Sequence, residues 1–393
     1  MTDRIVRAPR DDAERQRLEA ILVESFGADE LPWGTWMSRL GHENLRVVIE
    51  GGAIRGGLGF YRFAQHWGTS RAPGLSPLPM VGLAGVGVSP EARGTGLARR
   101  FLVSTLAEAR EEGVPLAALY ASSVAVYRSI GFEQAGTTIR WSAPIATLPR
   151  GDHGLACVPF DPREDRSLRA LYDARARRWN GHLERSEAIW QRIAAPYKGL
   201  ARGYRFGPDD APEGYVVYQH EPGANLAFAV VVKDLVLTTP RAVARAMALL
   251  SDLRSLATEL RWLGAASDPI VSLLPEQTAK PVEHGRWMLR ILDPRRALAL
   301  RGYAHAGHVR LRVHDPLFGD VALALEAKDG RAEVHVIDDA PLRIDTRALA
   351  ALYAGATHPD TLALMGLAEG PRDELHALAT LLSDREPWLC DWF

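Results

Sequence analysis

The sequence predicts an α+β protein of two or three domains, its mixed sheets covered by helices and its last domain ordered strands first, helices after. Three observations carry this. At 393 residues the chain is longer than one ordinary hydrophobic core supports. A strand, tight turn and helix over residues 82–112 has a weaker echo at residues 234–250. From Trp287 onward, alternating strand patterns give way to three helical ones. The domain spans read from these shifts are 1–150, 151–288 and 289–393.

A hydrophobic fraction of 47% with 24% charged residues is that of a globular chain. The formal net charge of −1 offers no field for nucleic acid or an anionic membrane surface. Cys157 and Cys390 stand outside any C-x-x-C pattern, so no disulfide framework is expected and a reducing, cytoplasmic setting fits. No apolar run reaches membrane-spanning length, so no span is expected. His305 and His308 belong to no larger ligand set, so no metal is expected.

Residues 11–26 place apolar groups at helical spacing behind Asp11 and Asp12, an acidic start that suits the positive end of a helix. Residues 31–40 carry Trp33 and Trp36 in a segment too short and irregular to read as a helix. These aromatics serve either as core or, with Phe26 and the acidic Glu24, Asp29 and Glu30, as the wall of a substrate pocket. Residues 45–63 alternate around Gly51-Gly52 and Gly56-Gly57, as a hairpin does. Ala72–Pro79 reads as a rigid loop.

Residues 82–88 read as a strand, residues 95–112 as a helix closed by Gly113 and Pro115, and residues 114–120 as a buried strand. Residues 144–160 read as a boundary. A helix at 186–194 and strands at 214–218 and 226–232 follow. Arg175-Ala-Arg-Arg178 reads as a solvated helix face. The last region has strands at 309–313, 321–327 and 332–337, then helices at 346–353, 359–365 and 372–382.

The organising stretch runs Val86-Gly-Val-Ser-Pro-Glu-Ala-Arg-Gly-Thr-Gly-Leu-Ala-Arg-Arg-Phe101. The first amides of a helix lack internal partners and sit at the positive end of its dipole. With no side chain at Gly94 and Gly96, a pyrophosphate can approach the amides from Arg93 through Thr95, Leu97 and Ala98, with Arg93 or Arg99 adding charge. An ordinary strand-turn-helix with packing glycines has the same outline. The spacing matches neither G-x-G-x-x-G nor a Walker loop. It resembles the acyl-CoA signature of the GNAT N-acetyltransferases, with Glu91 where that signature usually has Gln or Arg.

A second GNAT resemblance lies in Tyr127-Arg-Ser-Ile-Gly-Phe132, after the strand at 114–120. A tyrosine there is placed to protonate a leaving thiolate. Setting Pro240 over Pro90 puts Val243 at the place of Arg93, and Ala244 and Ala246 at those of Gly94 and Gly96. That substitution predicts a second GNAT-like domain without cofactor. Residues 344–355 are similar to the sterol-carrier-protein-like fold, which by itself implies no lipid carriage.

The chain stops at Glu386-Pro-Trp-Leu-Cys-Asp-Trp-Phe393, aromatic and apolar where termini usually fray. Such an end is expected to dock in a pocket. Either it anchors only through its rings, or it brings a free carboxylate able to take a proton from an ammonium.

Together with Arg301-Gly-Tyr-Ala-His305, these motifs resemble the Eis (enhanced intracellular survival) acetyltransferases over essentially the whole chain. The resemblance implies tandem GNAT-like mixed-sheet domains followed by a sterol-carrier-protein-like α+β domain. It implies acetyl-CoA held by the backbone of Val86, Gly87 and Val88 and of Gly94 through Arg99, with Ser122 and Ser123 nearby. It further implies Tyr127 as general acid, the Phe393 carboxylate as general base, direct transfer to a small amine such as an aminoglycoside, and a homo-hexamer. Trp392, where the family can carry an acidic residue, and Gly85, where it can carry a bulky one, are departures that bear on the acceptor. Two other readings stand beside this one: a CoA- or lipid-binding regulatory protein with an idle site, and a protein-lysine acetyltransferase.

Overall fold

The computed structural model describes residues 4–27, 32–68 and 75–393. Asp29, Glu30 and the loop segment 72–74 lie outside the described residues.

The first part comprises β1 (Arg4–Arg7), α1 (Asp12–Phe26), α2 (Trp33–Leu40), β2 (Leu45–Glu50), β3 (Ala53–Gln65), β4 (Leu78–Val88), α3 (Leu97–Glu111), β5 (Leu116–Tyr120), α4 (Val124–Arg128) and β6 (Glu133–Pro144). The second adds β7 (Cys157–Phe160), α5 (Arg169–Ala176), β8 (Leu183–Glu184), α6 (Glu187–Ala194), β9 (Arg202–Phe206), β10 (Gly214–Pro222), β11 (Phe228–Leu237), α7 (Pro240–Asp252), β12 (Ala257–Gly264), α8 (Pro269–Leu273) and β13 (Lys280–Ile291). The third holds α9 (Pro294–Leu300), β14 (Gly307–His314), β15 (Val321–Lys328), β16 (Arg331–Ile337), β17 (Leu342–Asp345), α10 (Thr346–Ala354), α11 (Pro359–Leu364), β18 (Ala368–Glu369) and α12 (Arg372–Leu382).

The hairpin forms as expected, β2 against β3, through Gly51 and Gly52 at φ of +61° and +77°. The segment read as irregular is helix α2. Trp33, Trp36, Met37 and Leu40, at helical spacing, bury one face, and that burial outweighs the missing side-chain cap at Pro32.

One continuous sheet joins the first two parts in the order β1-β2-β3-β4-β5-β13-β6-β12-β11-β10-β9-β7. The order is symmetric about its middle. β4 and β5 are parallel, as are β11 and β12. Each half's last strand crosses to the other half: β13 pairs with β5 from Trp287↔Tyr120 to Ile291↔Leu116, and β6 pairs with β12 from Glu259↔Pro144 to Gly264↔Ile139. Strand β13 therefore runs through residue 288 and closes the sheet of the first half.

The third part is a sheet of order β16-β15-β14-β17-β18 with α10 and α12 against it. Helix α10 is buried on every side, because it packs between that sheet and strands β6 and β13. One buried arginine fastens the joint and a second braces the third part from within. Arg290 on β13 donates to Asp315 Oδ2 at 2.5 Å, and Arg301 donates to the carbonyls of Tyr353 and Leu382, each at 2.9 Å. Gly302 meets Gly68 so closely that a Cβ on Gly302 would lie 2.1 Å from the Gly68 carbonyl oxygen.

Candidate active site

Strands β4 and β5 pair only from Met80↔Leu116 to Leu83↔Leu119 and then part. Beyond Leu83, β4 continues to Val88 with β3 on its other edge. The edge of Ala84–Val88 thus faces a gap, where unpaired backbone groups can bond an extended ligand. Within it β4 bulges against β3, and Gly85 takes φ of +59°. A Cβ on Gly85 would stand 2.9 Å from the ring of Trp36, so glycine here admits the indole to the strand.

After Val88 the chain makes a short 3-10 turn at Pro90–Ala92, extends at Arg93, and enters α3 through Gly94 and Gly96 at φ of +76° and +77°. These left-handed conformations are what glycine supplies. Gly96 is the N-cap of α3 and leaves its first amides without a side-chain acceptor. A phosphate fits such an end. Arg93 lies folded against the Val88 carbonyl at 3.1 Å, while Arg99 is exposed with no hydrogen bond or ion pair among the described residues. Thr95 Oγ1 donates to the Ala92 carbonyl at 2.8 Å and braces the loop. Leu97 is buried and Ala98 half-buried at the helix start. The Glu91 carboxylate turns outward to Arg55 at 2.6 Å, so the departure at this position adds no charge of its own to the helix end. Ser122 and Ser123 are exposed where β5 leads into α4, and Ser123 makes no capping bond.

Tyr127 is buried on α4 with its ring edge-on to Phe132, centroids 5.9 Å apart. Its hydroxyl has no hydrogen-bond partner among the described residues, and burial pushes its pKa up to about 12. Tyr127 packs with Val81, Leu83, Ala117 and Leu119 on one face of the β4–β5 pair. Phe393 packs with Met80 and Ala118 on the other. Alternation along a strand requires this division. Gly82 receives the Phe393 ring, since a Cβ there would lie 2.6 Å from it.

The tail is docked along its length. Trp388 pairs with Thr137 of β6 and donates its N–H to the Asn180 carbonyl at 2.8 Å. Asp391 is held by Arg185, whose guanidinium also reaches Asp234 at 2.6 Å and lies over the Tyr172 ring at 3.6 Å. Trp392 stacks on Tyr120 with centroids 4.0 Å apart, and its carbonyl accepts from Arg192 at 2.5 Å. The Phe393 ring is ringed by Tyr61, Phe63 and Tyr120 at 5.8, 5.0 and 5.4 Å.

An aromatic series links this tail to α2. Phe26 meets Trp33 at 5.2 Å and Trp33 meets Trp36 at 5.5 Å. Trp36 Nε1 donates to the Tyr61 hydroxyl at 2.9 Å, and Tyr61 touches Phe393. Phe26 is 42% exposed and Glu24 is exposed with no partner among the described residues, so this end of the series is open to solvent. Trp392 joins the site from the other side, through Tyr120 rather than α2.

Sequence reasoning missed Arg185, Asp234, Tyr61 and Tyr120. The signal for Arg185 was the single charge of Asp391 inside an apolar terminus, which needs a buried cation somewhere. Arg175 is not on a solvated face. It is half-buried, bonds the Leu235 carbonyl at 2.5 Å and stacks over Trp388, because α5 packs on the tail. The overlay of Pro240 on Pro90 also fails. Pro240 is the first residue of α7, with two residues between it and the end of β11, whereas eight residues separate β4 from α3. Val243, Ala244 and Ala246 lie inside α7, with no loop equivalent to Ser89–Gly96.

Family profiles described as acetyltransferase (GNAT) domain match residues 6–135 and residues 181–291, and one described as sterol carrier protein domain matches residues 294–390. N-acetyltransferase Eis of Mycobacterium tuberculosis is 30% identical over 305 residues, 74% of each chain. An N-acetyltransferase of Streptomyces griseus is 28% identical over 79% of this chain and 81% of its own. The crystal structure of a GCN5-related N-acetyltransferase from Anabaena variabilis covers both chains completely with a TM-score of 0.93 at 28% identity. That of Eis1 from Mycobacterium abscessus shares the fold over both full chains, TM-score 0.79 at 22% identity.

Proposed function

The chain belongs to the Eis family of GNAT N-acetyltransferases, and from that premise we propose that it transfers acetyl from acetyl-CoA directly to a small primary amine, using both faces of the β4–β5 gap. One observation carries the reading: the Phe393 ring packs on one face of the strand pair and Tyr127 on the other. The thioester lies along the β4 edge, its pyrophosphate at the Gly94–Gly96 end of α3. The Phe393 carboxylate takes a proton from the ammonium of the acceptor. The freed amine attacks the thioester carbonyl and the C–N bond forms; the nitrogen gives up its second proton to solvent as the C–S bond breaks. Tyr127 gives its proton to the departing thiolate and is reprotonated from solvent. A phenol held at about 12 is fully protonated at neutral pH, as an acid must be.

The Phe26–Trp33–Trp36 series, with the free Glu24 carboxylate at its open end, supports an acceptor that is a cation with an extended body, of the aminoglycoside or polyamine kind. A homo-hexamer is the assembly the family resemblance implies, and light scattering measures it. The experiment that tests the function is thiol release from acetyl-CoA with aminoglycosides, polyamines and lysine peptides offered in turn. Amine-dependent release is expected, greatest with the small polyamines or aminoglycosides. Binding of acetyl-CoA with no release for any amine would overturn the reading in favour of an idle-site binding protein.

A further inference from the structure

The second half of the large sheet has a fork of its own. β11 and β12 pair from Phe228↔Ala257 to Val231↔Arg261 and then part. β11 bulges against β10 at Lys233, as β4 bulges against β3 around Gly85. Beside this fork lies a cavity of ≈ 470 Å³, walled in part by α5 and by Trp388 and Cys390 of the tail. That volume is within the range of small-molecule sites.

Its occupant is not a coenzyme of the kind the first fork suits. Thr239 caps α7, accepting from the Ala242 amide at 3.1 Å, and its own hydroxyl donates to the Glu213 carboxylate at 2.5 Å. The chain's own groups therefore satisfy the helix end that a pyrophosphate would need.

The charges point to an anion all the same. Of the two acids in the lining, Asp234 is committed to Arg185 and to the Tyr215 hydroxyl at 2.7 Å. Asp268 caps α8 through the Ile270 amide at 2.8 Å, and burial holds its carboxyl above the usual range. Against them stand three cations. Arg175 has only a carbonyl and the Trp388 ring as partners, and Arg178 and Lys233 make no hydrogen bond or ion pair among the described residues. Burial, reinforced by Arg192 and Arg140 and only partly offset by Glu221, pushes the Lys233 ammonium down to about 8. The flat walls are Trp179, Trp262 and Trp388.

We propose that this fork is a second ligand site, for a small organic anion with a flat apolar body, built partly from the tail that ends in Phe393. It stands independently of the transfer mechanism.

The test uses the full chain and the probe 8-anilinonaphthalene-1-sulfonate, followed by energy transfer from tryptophan, with and without saturating acetyl-CoA. One equivalent is expected to bind saturably and indifferently to acetyl-CoA. Arg178→Glu, at an exposed position, and Leu273→Trp, at a 40% exposed position lining the cavity, are each expected to weaken binding about tenfold with unchanged thermal unfolding. Displacement by acetyl-CoA, absence of saturation, or unchanged affinity in either variant would overturn the proposal.

Discussion

The Arg185 guanidinium donates to both carboxylate oxygens of Asp391, at 2.9 and 3.0 Å, two residues before the end of the chain. Both side chains are buried, and the same guanidinium holds Asp234 on β11. The terminus is thereby tied to the second half of the sheet while its last ring lies on β4 of the first. Without Asp391 the guanidinium keeps Asp234, but the tail loses its buried ion pair to the second half of the sheet. Asp391→Ala is therefore expected to loosen the tail, so that carboxypeptidase removes Phe393 faster and acetyl transfer falls in parallel. Equal digestion of variant and parent would show that the rings alone anchor the terminus.

Gly96 lies at φ of +77° in the cap of α3, where a β-branched side chain is strained and stands over the first amides. Gly96→Val is expected to weaken acetyl-CoA binding at least about tenfold in calorimetry, equivalent to about 1.4 kcal/mol. Unaltered binding would remove this loop from the phosphate site.

His66 is buried at the seam beside the tail, and burial, with Arg177 nearby, pushes its pKa down to about 4. A histidine held neutral in the folded state binds its proton more readily when unfolded. Its contribution is thus fully present above its unfolded pKa of about 6.5 and lost as pH falls toward 4. About 2 kcal/mol of stability is expected to disappear between pH 7 and pH 5 on its account. Urea unfolding of His66→Gln at both pH values is expected to show that much less pH dependence than the parent. Identical slopes would contradict the assignment.

Because the Tyr127 phenol titrates near 12, its ionisation leaves no descending limb in the rate of transfer below about pH 10. Tyr127→Phe is expected to lower kcat by about 10²-fold or more across that range, with the shape of the profile retained. A descending limb near neutrality that vanishes in Tyr127→Phe would mean a much more acidic phenol than this environment produces.

The local features were legible in the sequence: the Gly51-Gly52 turn, the Ser89–Gly96 loop, and the three closing helices all follow from glycine conformation or apolar spacing over a few residues. Pairings between distant segments were not. Nothing in Trp287–Ile291, the buried end of β13, tells that it inserts between β5 and β6, because a segment buried on both faces loses its alternation. Helix α2 was hidden for a related reason: its eight residues are helical through the partners that bury Trp33 and Trp36, not through propensity. In the site, the glycine loop and Tyr127 stand in contiguous motifs, whereas Arg185 meets Asp391 across 206 residues.

The central claim is that the carboxylate of Phe393, and not merely its ring, takes the proton from the acceptor amine. The most direct measurement is steady-state acetyl transfer by a chain whose Phe393 ends in a carboxamide, made by ligating a synthetic terminal peptide. The ring still fills the space against Gly82, Tyr61 and Phe63, so docking is preserved while the base is gone. The account predicts a fall in kcat of about 10²-fold or more with acetyl-CoA affinity unchanged. Full turnover by the carboxamide would contradict it and leave the terminus as an anchor alone.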